Sequence, residues 1–144
     1  MKAERIVLDT NCLLQTLPKM SPYHRVLTDI FAGRISLCVS NEILFEYEEI
    51  IARVSGMTIA RNVTDAIAFN PYTLRIEPFY KFNFIQKDPS DNKFVDCAIA
   101  ARARYIVTND SHFNVLRKIE FTKVNITRLD DYLKELEDCS EEYR

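Results

Sequence analysis

Two aspartates fall where a parallel sheet would present its chemistry. Asp9 directly follows the apolar run Ile6-Val7-Leu8, and Asp110 follows Tyr105-Ile-Val-Thr-Asn109. Short runs of this kind read as strands buried on both faces, and open α/β sheets bind ligands outside the carboxyl ends of their strands. One Asp in such a place is more often a turn or a helix cap; two at the same edge of one sheet point to a site. Asp96 is the only charge in Phe94-Val-Asp-Cys-Ala-Ile-Ala-Ala101, a helical stretch that is apolar or small nearly all round. An isolated buried carboxylate is costly unless it is paired or bound to a metal, and Arg102 or Arg104 is the alternative partner. Glu46 lies at the border of its helix's apolar face, about 95° from the centre. Glu42 and Glu49 point further away, whereas Glu48 borders the opposite edge, and helical geometry alone does not separate it from Glu46. Carboxylates gathered without a cation raise one another's pKa. Their hard oxygens suit Mg²⁺ or Mn²⁺, ions that activate a water and stabilise charge on the oxygens of a phosphodiester.

The elements that must position these groups are legible in the apolar periodicity. Strands are expected at Ile6–Leu8, Ile35–Val39, Leu74–Ile76, Tyr105–Thr108 and Val124–Thr127. Helices are expected at Tyr23–Ala32, ended by Gly33, and at Glu42–Val54, capped by Ser40 or Asn41. Further helices are expected at Ile59–Phe69, from the turn residues Asp88–Asn92 to about Ala103, at His112–Ile119 and at Leu129–Leu136. Phe45 lies opposite the apolar face of its helix and is a candidate contact for another element or a second subunit. Strands alternating with helices give an α/β fold with a mainly parallel sheet. The expected organisation is one domain over 1–136 followed by an acidic, frayed tail at 137–144.

Composition narrows the class. The chain has 144 residues, 47% hydrophobic and 28% charged, with a net charge of −2, an ordinary globular balance without a global basic field. That disfavours a passive nucleic-acid binder more than it disfavours a nuclease, whose acidic cluster is neutralised by metal. Four scattered cysteines (Cys12, Cys38, Cys97, Cys139) show no CxxC spacing, and there are only two histidines, so neither a zinc site nor a disulfide framework is expected. The N-terminus lacks the apolar stretch of a signal peptide, and no run is long enough to span a membrane. A cytoplasmic protein is the expectation.

Four runs, in order, resemble a PIN domain: Ile-Val-Leu-Asp9-Thr-Asn11-Cys-Leu-Leu, Val-Ser40-Asn-Glu-Ile-Leu-Phe-Glu46, Asp88-Pro-Ser-Asp91-Asn-Lys93-Phe-Val-Asp96-Cys-Ala-Ile-Ala-Ala, and Tyr-Ile-Val-Thr108-Asn109-Asp110-Ser-His-Phe113. The likeness extends from about residue 4 to residue 130 and is nearest to the toxins of bacterial toxin–antitoxin pairs. It implies a three-layer α/β/α sandwich and a Mg²⁺- or Mn²⁺-dependent endoribonuclease. Its acidic triad would be Asp9, Glu46 and Asp96, with Asp110 as the fourth acidic position. Asn11 matches a position able to hold a metal-bound water or a phosphate. An antitoxin protein and a homodimer are the partners it implies, with RNA as substrate. Asp91 and Lys93 match a recurrent stretch; for Asp91 the expected role is an N-cap to the buried helix, for Lys93 a solvated charge.

Other readings are weaker. A phosphotransferase of the haloacid dehalogenase type needs a second Asp two residues after the first, where this chain has Asn11. A housekeeping RNA-processing nuclease, or a catalytically inactive interaction module, keeps the same fold; the full set of acidic positions disfavours the latter.

Overall fold

The structure, a computed structural model, describes residues 3–119 and 124–142. Strands β1 (Glu4–Leu8), β2 (Ile35–Val39), β3 (Leu74–Arg75), β4 (Tyr105–Val107) and β5 (Ile126–Thr127) form one parallel sheet in the order β3-β2-β1-β4-β5. Helices α1 (Thr10–Thr16), α2 (His24–Phe31), α3 (Asn41–Ser55), α4 (Met57–Phe69), α5 (Asn92–Ala101) and α6 (Leu129–Glu142) cover the sheet, giving the expected α/β/α sandwich. Ile6, Val7 and Leu8 of the central strand are fully buried. Successive strand side chains point to opposite faces, so such a run requires cover on both. No helix among the described residues is long and apolar enough to cross a membrane.

The chain winds from β1 through β2 to β3, then returns to the other side of β1 as β4. That reversal opens a crevice at the carboxyl ends of β1 and β4, where α/β sheets receive ligands. The register pairs Leu8 with Val107, so the residues that follow each strand emerge side by side. The Asp9 amide extends the ladder by donating to the Val107 carbonyl at 3.0 Å.

Helix α3 starts where its cap residue dictates: the Ser40 hydroxyl accepts from the Ile43 amide at 3.3 Å, meeting one of the orphan donors of the first turn. Ile43, Tyr47 and Ile51, four apart, bury one stripe, and Phe45 on the far side is 72% exposed. The fully buried Tyr47 hydroxyl donates to the Leu8 carbonyl at 2.6 Å, which ties α3 to the last residue of β1. Tyr47→Phe would leave that buried carbonyl without this partner. The expected cost is about 1–2 kcal/mol of unfolding free energy, measurable by urea denaturation.

Three elements differ from expectation. Helix α1 has no counterpart in the expected set, because Thr-Asn-Cys carries poor helix formers and its cap, Asp9, makes no side-chain capping bond. Residues 111–118 form a 3₁₀ helix, the tighter winding. Helix α6 continues through 137–142, residues expected to fray; residues 143 and 144 of the expected tail lie outside the described chain. Two first-turn aspartates, Asp130 and Asp131, favour the start of α6 through the helix dipole, and the buried Leu129 and Tyr132 anchor it.

Candidate active site

Asp9 emerges from the end of β1 with only 7% of its surface exposed. Its Oδ2 accepts from the Thr108 hydroxyl at 2.8 Å, and Thr108, from the neighbouring β4 end, also accepts from the Asp110 amide at 3.0 Å. One hydroxyl therefore sets the spacing of both strand-end aspartates. Burial pushes the Asp9 carboxyl up, the Thr108 bond offsets part of this, and Glu46 and Asp110 add like-charge repulsion. Asp110 in turn accepts from the His112 amide at 2.9 Å, capping the 3₁₀ turn. Asn109 accepts from the Leu129 amide at 3.1 Å, which directs that side chain to the start of α6. Asn11 is exposed and lines an open depression with Asp9, Asn109 and Asp110.

Glu46 reaches this group from α3. It accepts from the Thr10 hydroxyl and from the Lys93 ammonium at 2.8 Å. Both partners of that ion pair are mostly buried, with side chains 16% and 21% exposed, so Lys93 is an internal counter-charge to the cluster and not the solvated residue expected from sequence. Glu48 lies elsewhere, at the Thr64 hydroxyl of α4. Helical spacing left these two glutamates unresolved; the packing of α3 on β1 separates them.

The residue that sequence reasoning undervalued is Asp91. It makes no side-chain cap to α5, contrary to the expected role; the neighbouring turn is capped instead by Asp88, which accepts from the Ser90 amide at 3.2 Å. The Asp91 carboxyl is pushed up to about 7, first by burial and then by the charges of Asp88, Asp9, Asp110 and Glu46. Its Oδ2 is buried with no hydrogen-bond partner, as is His112 Nδ1. These two atoms face each other at 3.9 Å, and His112 Nδ1 lies 3.5 Å from Asp110 Oδ1. Among the described residues, Asp88, Asp91 and His112 bring one ligand atom each within 4.8 Å of one another. The available signal was the pairing of Asp88 with Asp91 across a Pro-Ser turn, which aims two carboxylates from one short segment.

Asp96 is placed apart from these groups. Its Oδ1 accepts from the Phe82 amide at 3.1 Å, and the charges acting on it are Glu42 and Lys81. It lines a cavity of about 220 Å³ with Ser40, Glu42, Glu77, Lys81 and Lys93. The alternative arginine partner is not used either: Arg104 pairs with Glu4 at 2.6 Å and Glu135 at 2.5 Å. The thiols of Cys12, Cys38 and Cys97 are all buried and raised by burial, in line with their reading as small hydrophobes.

The crowding of carboxylates has a measurable consequence. Asp91 ionises near 3.8 in an ordinary environment and is pushed up to about 7 in the fold. Between those values the folded state holds a proton the unfolded chain has lost, so stability falls as pH rises through this window. In EDTA, Asp91→Asn is expected to flatten the fall in thermal midpoint between pH about 4 and about 7. An unchanged slope would show that the Asp91 charge is not under strain.

A buried carboxylate oxygen without a donor, close to Asp88 and His112 and repelled by Asp9, Asp110 and Glu46, offers hard oxygen ligands of the kind a divalent cation takes. The same frame is found in known proteins. One chain of the crystal structure of VapBC2 from Rickettsia felis, bound to a DNA fragment from their promoter, superposes with a TM-score of 0.59 over 86% of this chain and 98% of that one, at 15% identity. No curated protein matches by sequence. The family model of the PIN domain matches residues 5–112, which takes in β1, α3, the Asp88–Lys93 segment and the Asp110 turn. With a model of that length matched, the chain belongs to the PIN domain family.

Proposed function

We propose that this chain is a divalent-metal-dependent endoribonuclease, with Asp9, Glu46, Asp91 and Asp110 holding Mg²⁺ or Mn²⁺. The observation that carries the reading is the buried Asp91 oxygen, unpartnered and repelled by the other three carboxylates. Four carboxylates with one ammonium between them leave a net negative charge that a cation relieves. Asp91 takes the ligand position that the family resemblance would give to Asp96, because Asp91 is electrostatically coupled to Asp9, Asp110 and Glu46 while Asp96 is coupled to Glu42 and Lys81.

A divalent ion bound there supplies a water of lowered pKa and charge stabilisation on the attacking and leaving oxygens of a phosphodiester. The protein's own residues supply the rest. Thr108 fixes Asp9, and Thr10 fixes Glu46. Lys93, paired with Glu46, would offer its ammonium to a phosphate held beside the cluster. His112 stands beside Asp91 and Asp110, with its Nδ1 turned toward both carboxylates. Asn11 lines the open depression beside Asp9 and Asp110, within reach of a phosphate placed there.

The same reading makes the chain the toxin of a toxin–antitoxin pair, with a protein antitoxin as partner and a homodimer as assembly; exposed Phe45 on α3 is a candidate contact. Its support is the family membership, the sequence resemblance to such toxins and the shared frame with a chain of the VapBC2 complex. The test is Mn²⁺-dependent cleavage of single-stranded RNA, with the Asp9→Asn protein as control.

A further inference from the structure

The segment between β3 and α5 carries a pattern that the carboxylate site does not use: Phe79-Tyr80-Lys81-Phe82-Asn83-Phe84-Ile85-Gln86-Lys87. It has no regular secondary structure, yet it is fastened at two points. The Phe82 amide donates to Asp96 at 3.1 Å. The Ile85 amide donates to Asn92 Oδ1 at 2.9 Å, and Asn92 Nδ2 returns a bond to the Ile85 carbonyl at 2.8 Å. Asp96 and Asn92 both belong to α5, so this helix staples the strap beside the site. Asn83, with a φ of 55°, turns the chain between the two staples.

The staples leave aromatic rings outward. Phe79 is 99% exposed and Tyr80 75% exposed, a costly display for a segment otherwise held in place. The rings form a series: Tyr80 and Phe82 are 6.4 Å apart between centroids, and Phe82 and Phe84 are stacked at 5.3 Å with 24° between planes. Lys81 lies between Tyr80 and Phe82 and Lys87 follows the last ring, both exposed. The strap also runs past residues that flank the carboxylate cluster. Pro78, Lys81 and Asn83 share the cavity of Lys93 and Asp96, and Phe84 through Lys87 share another with His112 and Lys118.

We infer that this strap is a stacking platform for single-stranded RNA, which leads the backbone across the carboxylates; the choice of RNA rests on the endoribonuclease reading. Bases of a single strand present π-faces that stack on aromatic side chains whatever the sequence, while cations between the rings follow the phosphates. A ring series with one exposed lysine inside it and another at its end suits that ligand better than a protein, whose contact core is depleted in charge, lysine above all. The strap also supplies local positive charge that a chain of net charge −2 lacks overall. Asp96 is then a positioning residue for the platform.

The test is fluorescence anisotropy of the full chain with a labelled decamer of uridines in EDTA, which reads binding without cleavage. Phe79→Ala and Tyr80→Ala are each expected to weaken binding about ten-fold, with the thermal midpoint within about 2 °C of wild type because the rings are exposed. Lys81→Ala is expected to reduce the slope of log affinity against log salt by about 0.7. A double ring variant that binds within about two-fold of wild type overturns the inference and gives the rings to a protein partner. So does wild-type protein that fails to bind the decamer, or that prefers duplex RNA or the thymidine DNA decamer. Ring-dependent binding without Mn²⁺-dependent cleavage would leave the platform standing while the nuclease reading fell.

Discussion

Asp9→Asn is expected to lower Mn²⁺-dependent RNA cleavage by at least about a thousand-fold, roughly 4 kcal/mol of transition-state stabilisation, while the fold persists. The change keeps the size of the side chain and its acceptor oxygen, so the 2.8 Å bond from Thr108 has a replacement. It removes a charge that burial, Glu46 and Asp110 all oppose. Stability at neutral pH should therefore hold or rise slightly, with the thermal midpoint within about 3 °C of wild type. Loss of activity with loss of fold would be uninformative elsewhere in the core; here the two are separable, because Asp9 is disfavoured by its surroundings and retained for its charge. Cleavage at the wild-type rate by the folded variant would remove Asp9 from the reaction and, with it, the strand-end site.

How much of this was legible in the sequence depends on which interaction sets each residue's place. The strand-end aspartates were readable, because Ile6-Val7-Leu8 and Tyr105-Ile-Val fix both a buried strand and the residue that follows it. The order of the sheet then brings Asp9 beside Asp110. Glu46 was readable only as one of two, since a helix face about 100° wide does not say which edge meets β1. Asp96 looked like the costliest charge in the chain, and it is buried, but the burial is answered by an amide from a segment without periodicity. No pattern in Phe79–Lys87 says that the strap returns over α5. Asp91 was hidden by the opposite effect: Asp in a Pro-Ser turn before a helix has a ready explanation as a cap, and only the coordinates show its oxygen unpartnered. Helix α1 was missed for want of propensity; its Cys12 and Leu13 are fully buried, so packing and not local preference makes it helical.

The pair Asp91→Asn and Asp96→Asn separates the two assignments of the third carboxylate. Asp91→Asn is expected to weaken Mn²⁺ binding by at least about ten-fold and cleavage by a hundred-fold or more, of the order of 3 kcal/mol. In EDTA near neutral pH it should raise the thermal midpoint, since the lost charge is opposed by Asp88, Asp9, Asp110 and Glu46 together. Asp96→Asn is expected to act on the strap and not on the metal. Mn²⁺ affinity, read by calorimetry, should match wild type, because the charges acting on Asp96 are Glu42 and Lys81 and not the site carboxylates. Stability should stay within about 1 kcal/mol of wild type, since burial opposes the Asp96 charge more than the Phe82 amide favours it, while the amide's weaker, neutral acceptor loosens the strap and RNA affinity should fall. The opposite result, metal affinity lost at Asp96 and kept at Asp91, would require α5 to turn its carboxylate away from the Phe82 amide that now holds it. The clasp of Asn92 on Ile85, one turn earlier on the same helix, opposes that rotation.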